Sequence, residues 1–236
     1  KILITGHAGI GIEDKINIIF GRPNVFVALT PKAHKWATQF TSDTEYIPNG
    51  VNTDQFNPCV KPIKLDLKPP IIFCNCALLP YKRVDLVVKA VAKIPYASLL
   101  MVGDGPLNKE IELLGKKLLP DRYLQIRQVE HDKIAGYYIF SNVFTMVSRE
   151  SEAFGLVYLE AMACNKPIVA PDDMNRREII AKAGIFCNPE NIAEYAKAIG
   201  QALKINWGNE PRKQVEKYSW EAIAQRYEKV FKKYST

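Results

Sequence analysis

The stretch PPIIFCNCALLPYKRVDLVVKAVAKIPYASLLMVG, residues 69–103, contains two kinds of apolar pattern. Its two ends, 69–78 and 97–103, are short and almost continuously apolar, which is typical of strands buried on both faces. The run 82–94 between them places apolar residues at helical spacing. A strand, a helix and a second strand in this order predict neighbouring parallel strands with the helix packed against the sheet.

The same alternation continues to the end of the chain. It predicts helices at 108–119, 132–141, 154–164, 178–183, 191–203 and 219–234, and strands at 123–129, 143–148, 167–171 and 184–188. Continuously apolar strands that alternate with amphipathic helices indicate an α/β fold with a doubly wound, Rossmann-like parallel sheet covered on both faces.

The first 50 residues also alternate between predicted strands and helices, and these elements are shorter. They predict strands at 1–5, 24–30 and 45–50 and helices at 14–20 and 31–40. This is too little chain for a second complete Rossmann-like domain. Residues 51–68 are rich in proline and polar residues and have no periodicity, so they are expected to be a linker. The sequence thus predicts three parts: 1–50, the linker 51–68, and a main domain at 69–236.

Composition limits the classes of function. Of the 236 residues, 47% are apolar and 24% are charged, and no apolar run is long enough to span a bilayer. The net charge of +7 suits phosphorylated ligands or an anionic membrane face, although most of it is expected to be solvated surface. No basic cluster is interleaved with aromatic residues, so no nucleic-acid partner is expected. Five cysteines without an even framework predict buried free thiols in a reducing compartment, hence a cytoplasmic location.

In a doubly wound sheet, ligands bind where strands end and helices begin. Four loops of this chain lie at such places: 77–82, 103–106, 128–131 and 149–155.

The fourth loop opens the segment ESEAFGLVYLEAM (150–162), which has two carboxylates eight positions apart. If a helix starts near Phe154, Glu152 lies on the loop before it, and the free N–H groups of 155–157 form an anion site at the helix N-terminus. Glu160, about one and a half turns further, could accept hydrogen bonds from the vicinal hydroxyls of a sugar. Alternatively, Glu152 stabilises the helix N-terminus and Glu160 is a satisfied buried polar group. The spacing alone leaves both readings open.

Other motifs are less specific. Lys82 follows a strand and a proline turn, where it is either a cation for the same phosphates or an ordinary residue at a helix start. GDGP (103–106) is expected to be a tight connection more than a phosphate-facing turn. GHAGIG (6–11) lacks the Lys-Ser/Thr of a P-loop and the order of G-x-G-x-x-G. Three histidines without G-x-S-x-G argue against a hydrolase triad, and the pair Asp172-Asp173 is expected to be a turn rather than a Mg²⁺ site.

Four motifs occur together in one order: IPNGVNTDQFNP (47–58), LLPYKRVDLVVKA (78–90), LLMVGDGP (99–106) and SEAFGLVYLEAMACNKPIVAP (151–171). Their order and spacing resemble those of retaining glycosyltransferases of the group 1 (GT4-like) family, which have the GT-B fold. The resemblance runs from about Val25 to the end of the chain. The E-x7-E segment with its EAMA continuation is its most specific part.

The resemblance implies two Rossmann-like domains, of which the first mainly binds the acceptor and the second a nucleotide-diphosphate-sugar donor. It implies sugar transfer with retention of anomeric configuration and no metal or other cofactor. The residues that it assigns to catalysis are Glu152, Lys82 and His7. The residues that it assigns to donor binding are Phe154, Gly155, Leu156, Val157, Glu160, Gly103, Val129 and His131.

The implied roles differ along the donor. Glu152 would contact the donor sugar near the reacting carbon, Glu160 would hold the ribose, and the backbone near 128–131 would face the base. Lys82 would neutralise charge that develops on the leaving diphosphate. His7 in TGHAG resembles the histidine that the first domain presents to the donor sugar.

The chain departs from the family pattern at two points. The family usually has an arginine five positions before the lysine, where this chain has Ala77, and whether Arg83 replaces that cation is left open. The family's first domain also needs more chain before Lys1, so we expect a donor-binding half with the end of an acceptor half, either shortened or naturally short. A non-catalytic nucleotide-sugar-binding module and a GT-B sugar-nucleotide epimerase are the alternatives. The acceptor is left open among glycans, lipid-linked sugars and small molecules, with peripheral contact at the cytoplasmic membrane face as a further expectation.

Overall fold

The computed structural model describes residues 1–7, 11–149 and 154–235, which form two parallel sheets. The strands are β1 Leu3–Gly6, β2 Val25–Ala28, β3 Thr44–Tyr46, β4 Ile71–Asn75, β5 Ser98–Val102, β6 Tyr123–Ile126, β7 Val143–Thr145, β8 Ile168–Pro171 and β9 Gly184–Cys187. The helices are α1 Ile12–Gly21, α2 Pro31–Ala37, α3 Val84–Ala92, α4 Asn108–Leu118, α5 Ile134–Phe140, α6 Leu156–Ala163, α7 Met174–Ile180, α8 Ile192–Ala202, α9 Glu210–Val215 and α10 Trp220–Ser235. The predicted α/β class with parallel, Rossmann-like sheets is confirmed.

The larger sheet contains six strands within the described residues, in the order β6-β5-β4-β7-β8-β9. Its centre is apolar on both faces, because the side chains of Ile71, Ile72 and Phe73 in β4 are all buried. Helix α3 packs through residues at helical spacing, with Val84, Val87, Val88 and Val91 buried. The pattern in residues 69–103 therefore forms the strand–helix–strand unit that it predicts.

The smaller sheet has the order β1-β2-β3, and α10 returns from the end of the chain to pack on it. Ile223 and Val230 of α10 join a buried cluster with Val25 and Val27 of β2. The guanidinium of Arg226 donates to the carbonyl of Tyr46 at 3.1 Å.

Segment 51–68 is packed although it contains no helix or strand. Phe56 is 2% exposed in the core of the larger sheet. The Arg212 guanidinium, from α9, donates to the carbonyls of Thr53 and Phe56 at 3.2 and 2.9 Å. The predicted boundaries 1–50, 51–68 and 69–236 stay a prediction.

Element ends differ from the sequence prediction at several loops. Strand β6 ends at Ile126 rather than 129, and β7 ends at Thr145 rather than 148. The predicted helix 178–183 is wrong in its start, because α7 begins at Met174, where the carboxylate of Asp173 accepts from the Arg176 N–H at 3.0 Å. Helix α9 was not predicted.

Candidate functional site

The topology places a crevice between the carboxyl ends of β4 and β7. From β4 the chain proceeds to β5 and β6 on one side, and it then returns to β7, β8 and β9 on the other. The two loops that leave β4 and β7 therefore diverge at a topological switch point, where ligands bind in doubly wound sheets.

The loop after β4 is bound to its neighbours on both sides. On one side the Leu78 N–H donates to the carbonyl of Asp104 at 2.9 Å, and on the other the Arg149 N–H donates to the carbonyl of Tyr81 at 2.9 Å. Lys82 ends a short 3₁₀ turn, Pro80–Lys82, in this loop and is 9% exposed. Lys82, the predicted cation, therefore lies on the loop after β4, next to Tyr81, whose carbonyl accepts the hydrogen bond from the loop after β7.

Ala77 is exposed on this loop. The guanidinium of the neighbouring Arg83 donates to the carbonyl oxygens of Val147 and Ser148, at 2.8 and 3.3 Å, and to the carboxylate of Glu190 at 3.1 Å. Burial lowers the pKa of Arg83, and the charge of Glu190 opposes that shift. Arg83 therefore serves the loop after β7.

Gly103 follows β5, and the reason for a glycine there is close backbone packing. Its φ is +148°, and a Cβ built on it would clash with the carbonyl oxygen of Cys76. The segment 103–106 is a tight connection, as expected: the Asp104 carboxylate accepts from the Gly105 N–H at 2.8 Å and from the Asn108 amide at 2.7 Å.

Helix α6 begins at Leu156, two residues later than predicted, so Phe154 lies before the helix with its side chain buried. Gly155 precedes the first turn with φ +89°, and the ring of Tyr158 lies beneath it, 2.7 Å from where a Cβ would be. Helix geometry leaves the N–H groups of Leu156 and Val157 without intrahelical acceptors. These N–H groups are the ones that the predicted anion site would use, and the site stays a prediction. Glu152 falls outside the described residues.

Glu160 lies on the second turn of α6 and is half-buried. Its Oε2 accepts a 2.7 Å hydrogen bond from the hydroxyl of Tyr138, a fully buried residue of α5. Burial raises the pKa of Glu160 above its ordinary value, while the Tyr138 hydrogen bond and the nearby His131 lower it. The carboxylate therefore has a hydrogen-bond partner and is fixed in position. This agrees with a sugar-binding carboxylate and equally with a satisfied buried polar group.

Residues 128–131 form a loop after β6, with Val129 half-buried and His131 exposed. Segment 51–68 fixes its end: the Gln55 amide donates to the carbonyl of His131 at 3.0 Å, and the rings of Phe56 and His131 lie 5.7 Å apart. The charge of His131 contributes to lowering the pKa of Glu160.

His7 follows β1 at the carboxyl end of the smaller sheet, and its side chain is exposed. Pro31 of α2 lines a cleft of about 540 Å³ with residues of α7 and the turn before it, among them Asp172 and Glu178. No contact that joins His7 to Lys82 or Glu160 is found among the described residues.

Three residues of the site were missed by the sequence reasoning: Tyr138, Arg83 in its actual role, and Arg176. Arg176 is a buried arginine of α7 whose side chain reaches the loop after β7. Its neighbour Arg177 is exposed and pairs with Asp172, while Asp173 caps α7, so both aspartates act at the start of a helix. Within residues 1–7, 11–149 and 154–235, no three His, Cys, Asp or Glu side chains form a metal-binding group.

The chain belongs to the family of group 1 glycosyl transferases, whose model matches residues 59–230. That stretch contains both loops of the crevice and all of α6. The fold and the resemblance seen in the sequence are thus confirmed at the level of family.

Two relatives illustrate the range of the family. A GDP-mannose-dependent monoacylated alpha-(1-6)-phosphatidylinositol monomannoside mannosyltransferase of Corynebacterium glutamicum is 25% identical over an alignment of 207 residues, and the match covers 77% of this chain and 54% of that protein. An N-acetyl-alpha-D-glucosaminyl L-malate synthase of Bacillus anthracis is 36% identical over an alignment of 162 residues, and the match covers 64% of this chain and 42% of that protein. The chain thus spans about half the length of the curated relatives that it matches.

Solved structures share the fold. Sucrose-phosphate synthase from Thermosynechococcus elongatus superposes with a TM-score of 0.80 at 24% identity, covering 98% of this chain and 67% of the other. Anabaena HepE in complex with UDP superposes with a TM-score of 0.83 at 18% identity, covering 98% and 72%.

Proposed function

We propose that this chain is the donor-binding part of a glycosyltransferase that moves a sugar from a nucleotide-diphosphate-sugar to an acceptor with retention of anomeric configuration. The observation that carries the proposal is the arrangement at the switch point. The N-terminus of α6 follows the loop after β7, and Lys82 lies on the loop after β4, so both border the crevice. Glu160 lies on α6 and is held in position by a hydrogen bond from Tyr138. An anion site and a fixed carboxylate on one helix suit a diphosphate joined to a ribose.

Each part of the donor has a proposed contact. The ribose hydroxyls donate to Glu160, the diphosphate accepts from the N–H groups of Leu156 and Val157 near Lys82, and the base lies against 128–131. Glu152 and His7 act at the donor sugar. Charge that develops on the leaving diphosphate is stabilised by Lys82 and the helix N-terminus, so the proposed reaction uses no metal ion.

The donor's base and the acceptor are questions for experiment. The name of the Corynebacterium relative states GDP-mannose, and HepE was solved with UDP, so guanine and uracil nucleotides are the first donors to try. The acceptors in the relatives' names are a phosphatidylinositol mannoside and malate, which differ in size but are both anionic.

Donor turnover tests the proposal directly. The chain, and the longest gene product that contains it, are incubated with UDP- and GDP-sugars, with malate or phosphatidylinositol mannoside as acceptor, and release of the nucleoside diphosphate is measured. NMR of the transferred sugar is expected to show the anomeric configuration of the donor. Release by neither preparation would overturn transferase activity, and an inverted product would overturn retention.

We also propose a cytoplasmic location with peripheral contact at an anionic membrane face, because the net charge is +7. Among the described residues, no helix is long and apolar enough to cross a membrane. Co-sedimentation with vesicles of phosphatidylserine and phosphatidylcholine is expected at low salt and is expected to weaken at high salt. Absence of binding at low salt would remove this part of the proposal.

A further inference from the structure

Asn75 is the last residue of β4 and brings a polar side chain to the end of an apolar strand. Residues 71–74 of the strand are buried, whereas Asn75 is half-buried. Because side chains alternate across a strand, Asn75 lies on the same face as Phe73, whose ring packs on that of Tyr138 with centroids 5.0 Å apart. Asn75 therefore lies where β4 reaches the crevice, on the face that α5 covers.

A single hydroxyl joins Asn75 to Glu160. The Asn75 Nδ2 donates to the hydroxyl of Tyr138 at 3.4 Å, and that hydroxyl donates to the Glu160 Oε2 at 2.7 Å. The Nδ2 and Oε2 atoms are therefore within about 6 Å of each other, because both contact the same oxygen. Two polar side chains from different elements, β4 and α6, thus lie side by side at the switch point.

The direction of these bonds fixes the orientation of the Asn75 amide. A phenol has one proton, and Tyr138 gives it to the carboxylate of Glu160, so its oxygen can only accept from Asn75. The amide must therefore turn its nitrogen towards Tyr138 and its carbonyl oxygen, Oδ1, away. In the part of the chain that the structure describes, neither Oδ1 of Asn75 nor Oε1 of Glu160 accepts a hydrogen bond. Both residues are half-buried, so these two acceptors remain for solvent or a ligand.

We infer that Asn75 is a second ribose-binding residue: one of the two vicinal hydroxyls donates to Glu160, and the other donates to Oδ1 of Asn75. The inference rests on the proposed function, in which Glu160 holds the ribose, and deepens it by giving the two hydroxyls separate acceptors. Vicinal hydroxyls lie on neighbouring carbons and have one proton each, so two acceptors beside one phenol suit them. A site built in this way rejects a nucleotide that lacks either hydroxyl, because one acceptor is then left unpaired.

The first test uses the wild type alone. It is titrated by calorimetry with UDP or GDP, whichever it prefers, and with the 2′-deoxy and 3′-deoxy forms of that nucleotide. We expect binding to weaken about fivefold for the form without the hydroxyl on Asn75, a neutral acceptor, and about tenfold or more for the form without the hydroxyl on Glu160, a charged one. Equal affinity for either deoxy form and the ribonucleotide would overturn the inference, and this comparison does not depend on whether variants fold.

The second test completes a thermodynamic cycle between Asn75 and the hydroxyl. Asn75→Ala is expected to bind the ribonucleotide about fivefold more weakly than the wild type does, but no more tightly than it binds the deoxy form without that hydroxyl. Its discrimination against the other deoxy form should be unchanged. The matched control is Asn142→Ala, because the Asn142 Oδ1 accepts from the Ile71 N–H at 2.7 Å, at the start of β4 and away from the crevice. Asn142→Ala is expected to bind all three ligands as the wild type does.

The outcomes separate this inference from the proposed function. If the wild type binds no nucleotide, the proposed function fails, and the role of Asn75 fails with it. If the wild type binds and Glu160→Gln weakens binding, but Asn75→Ala keeps the wild-type affinity, the role of Asn75 alone is overturned. An equal loss for all three ligands in Asn75→Ala, or a similar loss in Asn142→Ala, would indicate a general structural role and would also overturn it.

Discussion

Replacement of Tyr138 by phenylalanine isolates the hydrogen bond that holds Glu160. The ring of Tyr138 packs against Phe73 and Phe144, with centroids at 5.0 and 5.4 Å, and phenylalanine keeps these contacts. What is lost is the 2.7 Å bond from the hydroxyl to Glu160 and a weaker 3.4 Å bond from the amide of Asn75. The substitution therefore changes the polar partner of the carboxylate and little else.

The magnitude follows from the charge of the acceptor. A hydrogen bond to a charged group contributes about 1.5–3 kcal/mol, against about 1 kcal/mol for a neutral one. A matched control is Tyr195→Phe, because Tyr195 is also fully buried and its hydroxyl lies 2.6 Å from the neutral hydroxyl of Thr145. At pH 8 we expect the free energy of unfolding to fall by about 2 kcal/mol in Tyr138→Phe and by about 1 kcal/mol in Tyr195→Phe.

The difference between the two variants is expected to depend on pH. Because burial raises the folded-state pKa of Glu160, its ionised form destabilises the fold at neutral pH, and that cost is lost as the pH falls through the raised pKa. When Glu160 is protonated, Tyr138→Phe removes only a neutral hydrogen bond. The excess cost of Tyr138→Phe, about 1 kcal/mol at pH 8, should therefore shrink towards zero near pH 4.5.

Urea unfolding of both variants and the wild type between pH 4.5 and pH 8 measures this difference. Titration with the preferred nucleoside diphosphate adds a functional readout: Tyr138→Phe is expected to bind about fivefold more weakly, and Tyr195→Phe equally well, because about 1 kcal/mol is a factor of about five. Equal costs of the two substitutions at pH 8, or a difference that does not change with pH, would show that Tyr138 does not bind an ionised Glu160.

Three further predictions follow from single positions. Ala77→Arg adds a cation at an exposed position of the β4 loop. Calorimetry at low salt is expected to show several-fold higher affinity for the nucleoside diphosphate and unchanged affinity for the nucleoside. Equal gains for both ligands would contradict a diphosphate site beside Lys82. Gly103→Ala is expected to lower the free energy of unfolding in urea by more than about 3 kcal/mol, because its Cβ would meet the Cys76 carbonyl. The control Gly208→Ala, whose Cβ has nothing within 4 Å, should lower it by about 1 kcal/mol. Similar losses in the two variants would show that the close approach at Gly103 is unimportant. A thiol reagent at pH 8 should label Cys59 rapidly and the four buried cysteines only on unfolding, and rapid labelling of a second thiol would contradict the described burial.

The parts of the fold that the sequence predicts well are those fixed by local periodicity. Strand β4 and helix α3 follow from apolar residues within a few positions of each other, so the pattern determines which face is buried. Strand ends were predicted less well. The predicted strand continues to Val129, but its pairing with β5 stops at Ile126. Pairing with a neighbouring strand is not contained in the run itself.

The site was predictable where a motif is contiguous and was missed where partners are distant. The spacing of α6 places Glu160 on a helix that opens at Gly155, but Tyr138, its partner, lies 22 residues earlier on another helix. Arg176 and Arg177 show the same limit. They are adjacent and chemically identical in the sequence, yet one is buried against the β7 loop and the other is exposed. Only the packing of α7 on the sheet distinguishes them.

Calorimetric titration of the chain with UDP and GDP examines whether the crevice between the β4 and β7 loops holds a nucleotide-sugar with Glu160 on the ribose. Saturable binding of one of them is expected, weakened about tenfold or more by Glu160→Gln and unchanged by Tyr195→Phe, because a charged acceptor is lost in the first variant only. Binding that Glu160→Gln leaves unchanged would contradict the placement of the ribose. Binding of neither nucleotide would contradict the donor site itself.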